Sequence, residues 1–300
     1  MKRIVFYAFY GLTWLITRLP LRYLYVLSGF FYPLIYYVIP YRKKLVLKNM
    51  RQSFPGWDEK QLHSTTRKFY RHFCDSFIEG LATMFISEEE LKRRYVFKNP
   101  EVCNKLFEEG KSIALIMGHY GNWEWASLMP EFVKHKILAI YKPLHNPYFD
   151  RFIKKNRERF GVETIAMEKI FRSISDYKKN QEPTLTMFLA DQRPRWAQIQ
   201  HWTTFMNQDT PVVLGPEKIS KKLGLSVVYY KIIPVKRGYY EIEFIPMFDN
   251  PLQTDTFEIT ERFHQLLEET IREKPEYWLW THHRWKHEKE KYIPKAVRYE

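Results

Sequence analysis

Short apolar runs alternate with helical patterns through the middle of this chain. The runs with the character of strands lie at 112–117, 136–141, 162–166, 184–189, 225–233 and 239–246, and helix-like segments separate the first four. Strands that alternate with helices favour parallel pairing, because each helical crossover returns the chain to the same end of the sheet. We therefore predict an α/β fold with a central mixed, largely parallel sheet that is flanked by helices.

Apolar periodicity and breaker residues predict the helices. They lie at 4–39, 43–53, 58–85 (interrupted at a glycine), 88–94, 101–109, 147–160, 168–179 and 211–223. Asp255 and Glu258 form a capping-box pattern that opens a further amphipathic helix, which Pro275 stops. In open α/β sheets, sites form at the carboxyl ends of strands, and His119, Lys142 and Asp191 fall there.

The segment after the strand at 112–117 carries the residues best suited to catalysis. His119 follows that strand, and Glu124 lies at the start of the next predicted helix. The imidazole is suited to take a proton from an attacking hydroxyl, while the carboxylate orients the ring. The two side chains meet only if His119 lies in the loop, with Gly118 and Gly121 allowing the bend. A histidine that merely ends a strand is the alternative for this segment alone.

Further motifs follow in order along the chain. They are Tyr141-Lys-Pro-Leu-His-Asn-Pro147, Leu189-Ala-Asp-Gln192, Trp202-Thr-Thr-Phe-Met-Asn207 and Pro275-Glu-Tyr-Trp-Leu-Trp-Thr-His-His-Arg-Trp-Lys286. With the His-x4-Glu pattern they resemble the bacterial lipid A secondary acyltransferases, the lauroyl and myristoyl transferase branch of the lysophospholipid acyltransferase superfamily. The resemblance covers nearly the whole chain, to about Lys286. The chain departs from the branch at Lys142, where arginine is usual, and at Asn207, where glycine is usual; lysine lacks the bidentate fork of arginine.

The resemblance implies a membrane-associated O-acyltransferase of lipid A and lipopolysaccharide biosynthesis. The acyl donor is an acyl thioester, on acyl carrier protein or coenzyme A, and the acceptor is a hydroxyl of a lipid A precursor. His119 and Glu124 are then the catalytic pair in a direct transfer that needs no metal and no cofactor. Backbone donors near Gly118, Gly121 and Asn122 are expected to stabilise the oxyanion. Two alternatives stay open: acylation of an aminoacyl lipid or glycolipid, and a membrane-anchored protein that only binds anionic lipid.

The same motifs supply the residues expected to bind substrate. They are Lys142, Asp191, Gln192, Arg193, Arg195 and Arg284. The cations suit phosphate groups, and Asp191 and Gln192 suit bracing a basic residue or binding acceptor hydroxyls. Solvated surface loops are the alternative.

A second group of candidates lies near the carboxyl end of the chain. His282, His283 and His287 invite a metal hypothesis, but the neighbouring cations disfavour it. We expect a basic rim here, with tryptophans at the membrane interface: Trp278, Trp280 and Trp285. The alternative is a C-terminal segment that is packed by its tryptophans.

The first forty residues are unusually poor in charge. Between Arg3 and Arg42 the only charges are Arg18 and Arg22. The uncharged stretch at 23–39 would span about 25 Å as a helix, which is marginal for a hydrocarbon core of about 30 Å. We predict a helical membrane anchor at 1–40, either spanning or interfacial. The resemblance implies that residues 41–300 form an acyltransferase domain at the cytoplasmic face of the bacterial inner membrane.

The composition limits the classes of binding partner. A net charge of +14 favours anionic partners, and an aromatic content of 17% suits a bilayer interface. Nucleic acid is disfavoured, because the basic residues form no dense tract and no binding motif is present.

Cys74 and Cys103 have the character of small core residues, which indicates a reducing compartment. The absence of serine-hydrolase, Walker and dinucleotide-binding motifs argues against those enzyme classes.

Overall fold

The computed structural model describes residues 2–291, and a seven-stranded sheet forms its centre. The strands of the protein are β1 (Tyr95–Phe97), β2 (Ile113–Met117), β3 (Lys136–Tyr141), β4 (Glu163–Ala166), β5 (Thr184–Leu189), β6 (Trp202–Phe205), β7 (Gln208–Pro211), β8 (Ser226–Lys236) and β9 (Tyr239–Phe248). The sheet order is β1-β9-β8-β2-β5-β3-β4, and β6 and β7 form a separate antiparallel hairpin. Only β8 and β9 pair antiparallel within the main sheet. The predicted mixed, largely parallel sheet is thus confirmed.

Helices flank this sheet, as predicted. They are α1 (Lys2–Thr17), α2 (Leu21–Pro33), α3 (Lys43–Ser53), α4 (Glu59–Ala82), α5 (Glu88–Arg94), α6 (Glu101–Glu108), α7 (Pro147–Arg157), α8 (Ile170–Lys179), α9 (Gly215–Leu223) and α10 (Glu258–Glu273). The helical segment expected at 4–39 forms two α-helices, because Pro20 interrupts it, and it ends in a π-helical turn, Leu34–Val38. Conversely, Gly80 does not interrupt α4; its cost of about 1 kcal/mol in a helix is small beside the packing of this helix.

Three other predicted boundaries shift for identifiable reasons. The helix expected from residue 211 begins only at Gly215, because Pro211 is paired in the β6–β7 hairpin. Short 3-10 turns flank α7 and α8 where longer helices were expected. Only half of the capping box forms, since Glu258 accepts from the backbone of Asp255 while Phe257, at φ 70°, occupies the position before α10.

The central strand β2 determines where the site lies. All five of its residues are buried, and it pairs in parallel with β5 on one side and β8 on the other. Met117 lies opposite Leu189, the last residue of β5. Because both strands run in the same direction, the loops that follow them leave the sheet side by side.

The N-terminal helices have one face on the protein and one face exposed. On α2, Leu21, Leu24, Tyr25 and Ser28 are buried against the domain. The outward side chains include Leu12, Trp14, Leu15, Tyr23, Val26, Phe30, Phe31, Leu34, Tyr37, Val38 and Ile39. Within residues 2–291 no single helix has the length and hydropathy to cross a bilayer, whereas the bent pair Leu21–Val38 and Lys43–Ser53, at 87°, meets these criteria together.

Aromatic rings join α1 to α7. Phe6 packs against Tyr148 and Phe149. Phe9 packs against Phe149 and Phe152, and Tyr10 also packs against Phe152. The ring centroids of these pairs lie between 5.1 and 6.1 Å apart. The N-terminal helix therefore supports a helix that, as shown below, lines a cavity beside His119.

Candidate active site

A histidine and an aspartate meet where β2 and β5 end. The Nδ1 atom of His119 lies 2.6 Å from Oδ1 of Asp191, and the backbone N–H of His119 donates to Oδ2 at 2.9 Å. The indole N–H of Trp278 donates to the same Oδ2 atom, also at 2.9 Å. Asp191 is only 2% exposed, so these bonds hold the carboxylate and the ring in one arrangement.

The charge state of the pair follows from its surroundings. Burial alone would raise the pKa of Asp191, but the charge of His119 and the hydrogen bonds to it outweigh burial and hold that pKa well below its usual range. Asp191 is therefore ionised and accepts a hydrogen bond from the N–H at Nδ1. The Nε2 atom of the neutral ring then carries the lone pair, which is the tautomer that a general base requires.

A side-chain amide already occupies that lone pair. The Nε2 atom of Gln192 lies 3.2 Å from Nε2 of His119, which suits donation from the amide to the ring. A substrate hydroxyl that gives its proton to His119 would take the place of this amide. The contact with Gln192 is compatible with the tautomer that Asp191 favours, in which Nε2 of His119 is the acceptor.

Two glycines allow the loop to take this course. A Cβ atom at Gly118 would lie 2.7 Å from Cδ1 of Leu267, so the chain passes close to α10. At Gly121 φ is +57°, and a Cβ atom would lie 2.8 Å from Cγ2 of Ile232. The bend that the sequence placed between Gly118 and Gly121 is present.

Glu124 lies near the histidine but is bound to another residue. Its two carboxylate oxygens accept from Arg157 on α7, at 2.6 and 3.0 Å. Burial raises the pKa of Glu124, and the charge of Arg157 together with that of His119 lowers it further than burial raises it. The orienting hydrogen bond expected from Glu124 is made by Asp191. Arg157 could not be identified from the sequence, because the contact depends on how α7 crosses the loop.

An apolar cavity adjoins these residues. Its volume is about 340 Å³, and α4, α7 and the loops at 121–124 and 277–279 enclose it. Phe69, Phe73, Phe77, Leu81, Phe152 and Ile153 supply most of the apolar lining. Trp123 and Glu124 also line it, and the ring of Trp123 lies 5.1 Å from that of His119. A cavity of this size and character suits an extended apolar chain.

The residues expected to bind an oxyanion have mixed roles. The backbone N–H of Gly121 donates to the carbonyl of Tyr277 at 3.0 Å, so it is already used within the fold. The side chain of Asn122 is also engaged, with Nδ2 bonded to Glu79 and Oδ1 bonded to the backbone of Trp125. Lys142 follows β3, as predicted, and its side chain is exposed beyond the strand end.

The predicted phosphate contacts divide into two groups. Arg193 is half-buried, its backbone N–H donates to His282, and Arg195 is exposed. Arg284 is instead fully buried, with Nη1 donating to the carbonyl of Pro211 at 2.7 Å. Burial lowers the pKa of Arg284 to about 9. This burial does not support a contact between Arg284 and substrate, which stays a prediction.

The predicted tryptophan-studded rim is wrong, because its tryptophans take part in packing within the protein. Trp278 and Trp280 are buried, and the indole N–H of Trp285 donates to Thr210 of the β6–β7 hairpin. The tryptophans pack the C-terminal segment against the domain. Among residues 2–291, no cluster of histidine, cysteine and acidic side chains has the arrangement of a metal site.

A buried carboxylate that orients a histidine, at the carboxyl ends of two parallel strands and beside an apolar cavity, is an arrangement suited to an enzyme of apolar substrates. The comparison with known families agrees with the resemblance noted in the sequence. The model of the bacterial lipid A biosynthesis acyltransferases matches residues 1–287, and the chain belongs to this family. It is thus an acyltransferase of lipid A synthesis. No curated protein matches the chain.

Proposed function

We propose that this protein moves a fatty acyl chain from an acyl thioester to a hydroxyl of a lipid A precursor at the cytoplasmic face of the inner membrane. The observation that carries the proposal is the position of the His119–Asp191 pair beside the apolar cavity. Trp123 connects the two, because its ring packs on His119 and also lines the cavity. The cavity has the character needed for an acyl chain, and the pair has the chemistry needed to activate a hydroxyl.

The proposed reaction proceeds in two steps. The Nε2 atom of His119 removes the proton of the acceptor hydroxyl as its oxygen attacks the thioester carbonyl, and a tetrahedral oxyanion forms. The carbon–sulfur bond then breaks, the ester remains on the acceptor, and the leaving thiolate takes the proton from the imidazolium. Asp191 stabilises the imidazolium between these steps. Glu124, held by Arg157, lines the cavity that would receive the acyl chain.

Charge supports the choice of partners. The net charge of +14 suits both an acidic carrier protein and a phosphorylated acceptor. We propose acyl carrier protein as the donor and a phosphorylated lipid A precursor as the acceptor.

A reconstituted assay tests the proposal. Purified protein in vesicles is mixed with an acyl carrier protein thioester and a lipid A precursor, and mass spectrometry follows the acceptor. We expect the acceptor to gain the mass of one acyl ester as the thioester is consumed. Thioester loss without an acylated product would indicate hydrolysis, and acylation of only an aminoacyl lipid or glycolipid would overturn the choice of acceptor.

The exposed faces of α1 and α2 lead to a prediction about membrane attachment. Replacing Leu12, Leu15 and Phe30 together with glutamate should release the protein from vesicles, because burying each such side chain contributes about 1.5–3 kcal/mol. High salt should not release the unaltered protein, since apolar insertion is not screened. Flotation of vesicles measures both effects. Leu252→Glu, at an exposed apolar residue outside the N-terminal helices, is the control and should remain bound. Undiminished flotation of the triple variant would show that another surface is the anchor.

The accessible arginines lead to a prediction about the acceptor. Arg193→Gln and Arg195→Gln should each lower kcat/KM for a phosphorylated acceptor by ~10-fold, and lower it less for the dephosphorylated analogue, because a charge-assisted hydrogen bond is lost only with the former. The ratio of the two kcat/KM values is the quantity to compare. Arg172→Gln, at an exposed arginine on α8, should leave this ratio unchanged. An unchanged ratio in both test variants would assign these arginines to surface charge.

A further inference from the structure

A buried carboxylate connects the catalytic loop to the N-terminal helices. Glu79, on α4, is 0% exposed and accepts three hydrogen bonds from neutral donors. Tyr25 on α2 donates to Oε1 at 2.7 Å, and Asn122 in the loop and Tyr240 on β9 donate to Oε2 at 2.7 and 3.1 Å. Desolvation raises the pKa of Glu79 to about 7, against the effect of these hydrogen bonds.

The bond to Asn122 connects Glu79 to the segment that packs on His119. Asn122 uses its other side-chain atom, Oδ1, to accept from the backbone of Trp125 at 3.3 Å, and so begins the 3-10 helix Trp123–Glu131. That helix carries Trp123, whose ring packs on His119, and Glu124, which lines the cavity. The orientation of Asn122 therefore determines where these two side chains lie.

The bond to Tyr25 reaches the helix with the exposed apolar face. Near Tyr25, Ser28 donates to Asp75 at 2.6 Å, and Arg237 bonds both Asp75 and the carbonyl of Tyr25. On the opposite face of α2, Val26 is 59% and Phe30 72% exposed. One helix thus presents an apolar surface outward and a polar network inward.

We propose that Glu79 is a positioning residue for acyl transfer: it fixes Asn122, and through it Trp123 and Glu124, and it ties this loop to α2. The docked α2 is then part of the structure that supports turnover, in addition to any part in membrane attachment. This inference rests on the proposed function for its kinetic test, and a second measurement is independent of that function.

The kinetic test compares a disruptive and a conservative change. Glu79→Leu removes all three bonds and should lower kcat by ~10²-fold, the effect expected when reacting groups are displaced by about 1 Å, with KM nearly unchanged. Glu79→Gln keeps an acceptor oxygen for Asn122 and should retain activity within ~10-fold of the unaltered enzyme. Asn122→Ala should resemble Glu79→Leu, and the double variant should be scarcely worse than either, because the residues act as one unit.

A matched control separates positioning from general stability. Glu217 on α9 is also buried and also accepts three hydrogen bonds, from the backbones of Phe257 and Thr260 and the hydroxyl of Thr260, away from the catalytic loop. Glu217→Leu should lower the melting temperature without lowering kcat per folded molecule. An equal loss of kcat in Glu217→Leu and Glu79→Leu, or a folded Glu79→Leu with normal kcat, would overturn the proposal. If Glu79→Leu does not fold, Asn122→Ala decides the question by the same criterion.

Hydrogen exchange tests the positioning without reference to acyl transfer. In Asn122→Ala and in folded Glu79→Leu, the amides of residues 123–131 should exchange faster than in the unaltered protein, while those of α9 and α10 should not. Unchanged exchange in the 123–131 segment overturns the role of Glu79 even if the enzyme transfers acyl chains as proposed. Faster exchange in an enzyme that fails the acyl-transfer assay would leave the positioning intact and count against the proposed function alone.

Discussion

Replacing His119 with alanine should lower turnover by ~10²–10⁴-fold, the loss expected when a general base is removed. The effect should appear in kcat, because the cavity proposed to receive the acyl chain is unchanged. Steady-state kinetics in the vesicle assay measure it, with circular dichroism and flotation to verify folding and attachment. His63→Ala, at a partly exposed histidine on α4 paired with Glu59, is the control and should retain full activity. Near-normal turnover by a folded His119→Ala protein would refute the proposed mechanism.

Asp191→Asn should be about as damaging, on the order of 10⁴-fold in kcat, although it changes the shape of the site very little. The oxygen of the new amide is needed by the two donors on Oδ2, the backbone of His119 and the indole of Trp278. The amide nitrogen must then face Nδ1 of the ring. This forces the proton onto Nε2, and the ring loses the lone pair that takes the proton of the acceptor.

Double variants distinguish the two acidic residues near the histidine. His119→Ala combined with Asp191→Asn should be scarcely slower than either change alone, because the pair acts as a unit. Glu124→Gln should combine more nearly additively with His119→Ala, since the hydrogen bonds of Glu124 go to Arg157. The reverse pattern would identify Glu124 as the partner of the ring and contradict the geometry described above.

The central strands could be predicted because buried strands are apolar in sequence. The run Ile113–Met117 is apolar throughout, as expected for a central parallel strand covered on both faces. Short or edge elements leave a weaker mark: β1 has three residues, and the β6–β7 hairpin turns through Met206 and Asn207, both with positive φ. Neither β1 nor the hairpin was predicted.

The partner of His119 was less accessible from sequence than the histidine itself. Asp191 lies 72 positions away, and it meets the ring only because β5 lies next to β2 in the sheet. Alternating strands and helices predict parallel pairing, but they do not fix the order of the strands. Glu124, close in sequence, was therefore the natural candidate, and the placement of both His119 and Asp191 at strand ends was the one usable indication.

The burial of Arg284 shows a related limit. Its neighbours in sequence are histidine, tryptophan and lysine, which suggest an exposed basic surface. The residue that binds its guanidinium is Pro211, in the hairpin that was not predicted. Arg284 lies in the interior because the β6–β7 hairpin binds it, and the sequence of this hairpin was recognised only as a motif.

The aromatic contact between α1 and α7 has a consequence for how such an enzyme is assayed. Phe152 belongs both to this contact and to the lining of the cavity, so the width of the cavity depends on how α1 lies against α7. A detergent that competes for the rings of α1 would loosen this wall without touching a catalytic residue. With α1 attached to lipid as proposed, acyl-chain selectivity measured on solubilised protein would then describe a wider cavity than the one present in the membrane. Preparations in different detergents would disagree on chain length while agreeing on mechanism.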